Sequence, residues 1–405
     1  MAEPTLPASS DGDRAARKIL GMAFLATLLS AFGQTFLIGL FTGTWREEFG
    51  LSHAGMGSLY SGATLVSGLI IVKVGRGIDR MPLPRYTALA VLAFAVGCAI
   101  TASAWGPASL AVGIFLIRQC GQGLMGHIAI TTIARTFSAA RGRALAVAQL
   151  GFPAGEATFP ALIVFGLEEV GWRMLWWIAA AMLVLLTPVF VRLTRTAATP
   201  EEAATAQSSD ASRRDVLRDP RFFRILPVLL TTPFVITGLF FHQEAMAADK
   251  EWPLSLLATA FVAFAVTQVG GSLAMGWWID RVGARSLLRF YLLPMGLGCL
   301  WLASNDAAIT AWIYLGAMGV SAGAGGALSG ALWAEMYGTR HLGAIRAMQH
   351  ALMVVSTAAS PLLFGALLDA GVSASQLAWG CGLYATLVGP LLGGAAKRER
   401  PGIAA

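Results

Sequence analysis

The chain has 405 residues, of which 13% are charged and 56% apolar, with a formal net charge of +7 and a mean hydropathy of +0.66. Soluble domains carry about 25% charged side chains, so this composition argues against a water-soluble fold, and against a disordered chain, which needs low hydrophobicity and high charge. The apolar runs are long and continuous where an outer-membrane barrel alternates, and at about 20 residues per crossing they are enough for roughly a dozen helices.

In chain order, the first 18 residues are polar and partly acidic and lack the cationic segment of a signal peptide. The first apolar run is therefore expected to act as an uncleaved insertion signal. The runs predict spans over Ile19–Gly43, Ala54–Val74, Tyr86–Trp105, Ser109–Ala134, Gly142–Leu167 and Trp172–Val191. After Thr194 comes a stretch rich in Ala, Thr, Ser, Glu and Arg with no apolar period. Six more spans follow over Arg224–Gln243, Leu254–Trp278, Ser286–Ala303, Ala308–Ala334, Ala344–Leu368 and Ser375–Ala396. The expected organisation is a six-helix bundle over 1–193, a linker over 194–220 and a second six-helix bundle over 221–405.

Placing the loops alternately on two sides puts 25 cations, among them Arg76, Arg80, Arg141, Arg192 and Arg285, on the side of both termini. The other side holds Arg46, Arg173 and Lys250. The positive-inside rule then sets both termini in the cytoplasm. A bacterial-type cell (inner) membrane fits the short loops. The basic excess reads as a topology signal, with no soluble domain on which a nucleic-acid footprint would cluster. Cys98, Cys120, Cys299 and Cys381 lie apart inside apolar runs and read as small apolar fillers, without metal-ligand spacing. No Walker loop or nucleophile–base motif stands out, so neither a cofactor nor an enzyme activity is expected.

Charge within hydrocarbon is costly and marks function by default. Two groups qualify, Arg118 in span four and Glu156 in span five. Gln122 follows Arg118 by four residues and shares its helix face; Gln149 precedes Glu156 by seven and shares its face. His127, nine residues after Arg118, points to the opposite side and is either a cavity group or a packed histidine. Thr27, Ser30 and Gln34 form a polar stripe on span one; Gln349, Ser356 and Ser360 form another on span eleven, with His350 beside it. Such stripes either face a wet cavity or join helices. Gly319-x3-Gly323 and Gly326-x3-Gly330 in span ten read as close-packing positions. His242 and Glu244, at the outer end of span seven, are either an outer gate or exposed loop residues.

The chain also repeats itself. Gly75-Arg-Gly-Ile-Asp79-Arg80 follows span two, and Gly276-Trp-Trp-Ile-Asp280-Arg281 follows span eight, 201 residues later. Phe32–Ser52 resembles Phe234–Ser255, and Pro160-Ala-Leu matches Pro361-Leu-Leu at the same spacing. Gly75, Asp79 and Arg80, with Gly276, Asp280, Arg281, Gly283 and Arg285, fit the loop pattern G-x-x-x-D-R-x-G-R-[RK]. On these residues the chain resembles the major facilitator superfamily along its whole length. The first copy departs from the pattern, with Met81-Pro-Leu-Pro-Arg85 in place of the glycine and basic pair.

The resemblance implies an all-α membrane protein of twelve transmembrane helices in two pseudo-symmetric bundles. It implies a secondary transporter working by alternating access, and loop clusters that latch one of its states. It further implies that Arg118, before the glycines of Gln119-Cys-Gly-Gln-Gly123, takes part in proton coupling or anion binding. Around span five Glu156 stands where drug/proton antiporters of the family carry proline, which argues against that branch. The FGQTFLIGLF and GQG stretches resemble the monocarboxylate-porter branch. The expected activity is symport of a small organic anion, such as a monocarboxylate, with protons, by a monomer in the lipid bilayer. The alternatives are export of drugs or amphipathic metabolites, and a transport-inactive sensor on the same fold.

Overall fold

A computed structural model describes residues 10–137, 140–195, 219–338 and 342–396. Among them helices make up almost the whole chain and there is no strand. Lipid offers the backbone no hydrogen-bond partners, so a chain of continuous apolar runs satisfies its N–H and C=O groups within helices. The expected linker core, the last residues of the chain and Arg340 lie outside the described residues.

The spans are α1 (Arg14–Gly33), α2 (His53–Asp79), α3 (Leu83–Ala102), α4 (Pro107–Thr136), α7 (Pro220–Phe241), α8 (Leu254–Val282), α10 (Ile309–Tyr337) and α11 (Ile345–Asp369). A run of 54 residues, Arg141–Thr194, holds two more. Gly171, at φ 75° and ψ 166°, breaks it into α5 (141–170) and α6 (172–194). The shorter α9 (Leu293–Ser304) and α12 (Ala374–Leu392) complete twelve among the described residues. Large apolar side chains point outward where lipid would lie, among them Leu69, Leu185, Leu273 and Leu391.

Three spans differ from the sequence expectation. The ninth begins later, because Pro294 sits in the first turn of α9, where its missing N–H costs nothing, and the chain before it turns at Leu288–Leu292. The first does not run unbroken to Gly43. Its helix gives way to a 3-10 turn, Ser30–Gly33, then to Gln34 in an extended conformation (φ −89°, ψ 152°), before a short helix Thr35–Ile38. The fourth changes pitch: Arg118–Met125 is π-helical.

Contacts divide the chain into two compact units. One is built from the residues up to Gly50 and from Gly62 through α6; the other contains Leu51–Ser61 and α7–α12. In the first unit Glu48 accepts from Trp172 Nε1 (2.8 Å) and pairs with Arg173, whose Nη1 also donates to the carbonyls of Ala102 (2.9 Å) and Ala104 (2.8 Å). One arginine thus closes the ends of three helices. In the second unit the glycines of α10 do what their spacing predicts. Gly319 lies against Phe264 and Thr267 of α8, and Gly323 against Gln268, with no room for a side chain at either. Gly326 faces open space and Gly330 meets only the Arg346 side chain of α11, so that half of the glycine pattern does not bring two backbones together.

The first turns of α2 belong to the second unit. Asp369, at the end of α11, accepts from the backbone N–H groups of His53 (2.9 Å) and Ala54 (2.8 Å). These are orphan donors of a helix start, the groups a carboxylate caps best. Tyr60 and Phe241 rings lie 4.6 Å apart, and His53 and His242 rings 5.8 Å apart. His242 is buried, and its Nε2 lies 2.9 Å from Pro361 O. It is not an exposed loop residue.

Candidate functional site

The site is built where α1 breaks against α4. Gly33 and Gly121 bring the two backbones into direct contact: a Cβ on Gly33 would stand 2.6 Å from Gln122 N and 2.8 Å from Gly121 Cα. Only glycine on both sides permits this approach. The widened turn of α4 starts at Arg118, and single π-helical turns of this kind concentrate at functional positions.

Arg118 is 1% exposed. Its Nη1 donates to Gly33 O at 3.0 Å and its Nε to Thr64 Oγ1 at 3.2 Å. The break in α1 frees the Gly33 carbonyl from the helical ladder, and the guanidinium takes it. A buried cation is thereby satisfied partly by backbone of a neighbouring helix, at the point where that helix is irregular. Gln34, the extended residue, is half-buried beside it.

Glu156 is half-buried on α5. Its neighbour Gly155 abuts α1: a Cβ there would lie 3.1 Å from both Ala31 Cβ and Leu28 O. One turn further along, the Phe159 ring meets Phe32 at 4.9 Å between centroids. In the other direction the tip of Phe152 reaches the Gly126 position of α4, 3.5 Å from where a Cβ would be. Gly155 is thus level with Ala31 and Gly121 with Gly33, so Arg118 and Glu156 stand about 6 Å apart in depth, close to one helical turn. The sequence estimate of about 6 Å agrees.

The remaining candidates divide. Gln122 is exposed, about one turn from Arg118 on α4. Gln149 is exposed at the end of a short helical segment, Arg141–Gln149. In the α1 stripe, Thr27 Oγ1 lies 2.5 Å from Ala148 O and so joins α1 to α5, while Ser30 Oγ donates to Thr27 O of its own helix (2.7 Å); both residues are 0% exposed. His127 reaches the same helix as Arg118, with Nε2 3.1 Å from Gly75 O of α2 where Arg118 meets Thr64; the opposite side expected from its spacing assumes a regular helix and fails across the π-helical turn Arg118–Met125. His127 supports the loop and not the site. Gln349 exchanges hydrogen bonds with Ser329 (2.8 and 3.0 Å) and accepts from Trp333 Nε1, fastening α11 to α10. His350 beside it is exposed. The sequence reading missed Gln119. It is 5% exposed, and neither side-chain amide atom has a hydrogen-bond partner among the described residues. Its place immediately after Arg118 was the available signal, but an i+4 argument selects Gln122 instead.

The two loop motifs are clamped differently. In the first, Asp79 pairs with Arg135 at the end of α4, and Arg135 Nη1 also donates to Ile78 O at 3.2 Å. Gly75 is buried beneath His127, and Arg80 is exposed. In the second, the carboxylate comes from α10. Glu335 Oε1 accepts from Ala284 N (2.7 Å), Oε2 from Arg285 N (3.3 Å), and the Arg285 side chain donates to Glu335 O. Gly283, at φ 79° and ψ 152°, makes the turn that presents these N–H groups. Asp280 is exposed and pairs with none of the described residues, which corrects the expectation that it anchors the second cluster. Arg281 instead stacks on Trp277, 3.4 Å from the ring centroid, one turn on from the half-buried Gly276.

A third cluster lies at the start of α7. Asp219 Oδ1 accepts from Arg221 N (2.8 Å) and Arg221 Nε (3.2 Å), and Oδ2 from Tyr337 OH (3.0 Å). Burial acts to raise its pKa, but these hydrogen bonds and the Arg221 charge outweigh it and hold the carboxyl below its ordinary value. The four cysteines are buried and unbridged, and no metal-ligand cluster occurs among the described residues.

Twelve helices in two sequence-related halves, with a buried cation at a helix break and charge-clamped loops, define a transporter fold. Residues 23–243 match the Major Facilitator Superfamily, more than half of the chain, and the protein belongs to that family. The fold is similar to that of a bacterial homologue of the human lysosomal transporter Spinster, in an inward-facing and unoccupied conformation. That similarity has 15% identity, 94% of this chain and 96% of the other covered, and a TM-score of 0.71. It is also similar to a mutant of the nucleoside transporter NupG, with 16% identity, 93% and 98% covered, and a TM-score of 0.67. No curated protein matches the sequence.

Proposed function

We propose that the protein is a secondary transporter that moves a small organic anion, such as a monocarboxylate, together with protons by alternating access. Arg118 is the anion-holding cation and Glu156 the proton carrier. The observation that carries this reading is Arg118 itself: a guanidinium at 1% exposure, bound to the carbonyl of a broken helix. The acceptors on its Nη1 and Nε, a carbonyl and a hydroxyl, are neutral, and a carboxylate bound through two parallel N–H···O contacts is a stronger partner than either. Gln34 and Gln122 supply neutral donors beside it. Protonation of Glu156 removes a competing negative charge, which couples proton entry to anion binding. The cation distribution supports a cell (inner) membrane location with both termini in the cytoplasm. The loop clusters around Asp79 and Arg285 act as latches of one state of the cycle.

The test uses the purified protein in proteoliposomes. Glu156→Gln should lose accumulation of a carboxylate driven by a pH gradient, yet keep exchange of that carboxylate across the membrane. Arg118→Lys should weaken binding, because lysine lacks the two-pronged fork. Normal pH-driven accumulation by Glu156→Gln refutes the assignment.

A further inference from the structure

The second unit holds basic groups that the reading above does not use. Arg346 and His350 lie one turn apart on α11, with their Cβ atoms about 5–6 Å from each other. Both are exposed, yet neither is on the lipid side of the helix. At about 100° per residue, His350 is about 20° from Pro361 and Arg346 about 40° from Ser360, whereas the outward-facing Val355 is about 180° from Arg346. Ser360 and Pro361 are buried against α7: Ser360 Oγ donates to Phe234 O at 2.7 Å, and Pro361 O lies 2.9 Å from His242 Nε2. The face of α11 that is covered in the half ending at Asp369 is therefore open in the half starting at Ile345.

α10 leaves a gap at the same level. It meets α11 through Ser329 and Trp333, which hold Gln349, and through Gly330, whose carbonyl accepts from Arg346 Nη2 at 2.7 Å. Gly326 is on the same face, about 40° from Gly330 and 20° from Trp333. A Cβ there would have nothing within 4 Å. The two helices run in opposite directions, so the step from Gly330 back to Gly326 matches the step from Arg346 to His350. His350 stands level with the open position, and the anchored guanidinium closes one end of the notch. Charge around it is one-sided. Arg224 of α7 is exposed ten residues before Phe234, just as His350 is ten before Ser360, so a third basic group lies at that depth. Glu335 is taken by Ala284 N and Arg285, and Asp219 by Arg221 and Tyr337. None of the ion pairs among the described residues includes Arg224 or Arg346.

We propose that Arg346 and His350 form a second anion site, a station for the transported carboxylate at the end of α10 and α11 that the cation distribution assigns to the cytoplasm. This rests on the anion reading above and adds a place, apart from the buried Arg118, where the anion is held. A guanidinium has five N–H donors, and the bond to Gly330 O leaves four of them for a carboxylate. The imidazole one turn on supplies a further donor. Because both groups are exposed to solvent, the hold is weak, which suits a site that an anion must leave quickly.

The experiment reads the charge of the notch and its occupant without transport. Gly326→Cys puts a thiol into the open position, and the four native cysteines are buried. The purified protein is labelled with two methanethiosulfonate reagents, one bearing a sulfonate and one a trimethylammonium group. The ratio of the anionic to the cationic rate should fall by roughly 3- to 7-fold when Arg346→Gln is added, the range for one charge about 7 Å away in water with and without salt screening. Arg346→Lys should keep the ratio. Propionate should slow the anionic reagent, whereas propionamide with sodium chloride at the same ionic strength should not, and this protection should shrink in Arg346→Gln and in His350→Gln. A thiol that neither reagent labels shows the notch closed and overturns the station. Propionate without effect, or equally protective in both variants, overturns it too, and each of these failures leaves the Arg118 reading standing. If wild-type protein in proteoliposomes takes up no carboxylate, the anion reading falls and the station falls with it, whatever the labelling shows.

Discussion

Replacing Gly33 with alanine tests the contact on which the site is built. The new methyl would lie 2.6 Å from Gln122 N and 2.8 Å from Gly121 Cα, and would also strike the Ile117 carbonyl. All three are backbone atoms of α4, so no side chain can swing aside, and the helices must separate. Overpacking of this kind costs about 1–3 kcal/mol. Separation also lengthens the 3.0 Å bond from Arg118 Nη1 to Gly33 O, and a hydrogen bond to a charged group contributes about 1.5–3 kcal/mol. The two together give an expected loss of about 2.5–6 kcal/mol, read as a lower melting temperature by tryptophan fluorescence in detergent. Gly62→Ala in α2 is the control: nothing lies within 4 Å of the added Cβ, and alanine is favoured over glycine in a helix by up to about 1 kcal/mol. Gly121→Ala should be harmful by the same contact, and the double variant should lose less than the sum of the two. Should Gly33→Ala melt together with Gly62→Ala, the close approach of α1 and α4 is wrong, and so is the site derived from it.

The loop clusters make a differential prediction: Asp79→Asn should increase labelling of a cysteine placed beside Gln122, because it breaks the pair with Arg135, while Asp280→Asn should leave labelling at the wild-type level. Equal labelling in all three proteins removes the latch. Asp219→Asn keeps a good helix cap but removes the charge. Because the folded-state pKa of Asp219 is depressed, its contribution is fully present above the ordinary carboxylate pKa of about 4 and is lost as pH falls through the lower folded value. The wild type should therefore melt above Asp219→Asn at pH 7, with the gap closing below about pH 4.

What was legible in the sequence is what depends on long-range averages. Twelve apolar runs and a loop motif repeated 201 residues apart need only composition and spacing. The depth match of Arg118 and Glu156 needs only the helical rise. What was not legible depends on where regular geometry stops. No proline announces the extended Gln34; the break arises because Gly33 is pressed on Gly121, a contact between residues far apart in sequence. The π-helical turn after Arg118 alters the angular argument that selected Gln122 and passed over Gln119. The carboxylate of the second loop clamp sits on Glu335, 50 residues from Arg285, whereas the motif itself offers the nearer Asp280. Polar stripes are ambiguous for the same reason: Thr27 and Gln349 found partners on neighbouring helices, and only the partner distinguishes a joint from a wet wall.

The start of α2 makes the second half an incomplete body by itself. A fragment beginning at Pro220 would leave Asp369 without the two amide hydrogens that His53 and Ala54 supply. It would also uncover the Pro361 and Gly365 backbone, against which Gly57 and His53 are seated. The duplicated halves of the sequence are therefore not interchangeable modules. Co-expressed as two chains they have a surface on which to reassemble, with a plug from the first chain filling a socket in the second, whereas the second chain made without its plug carries an open socket that invites aggregation.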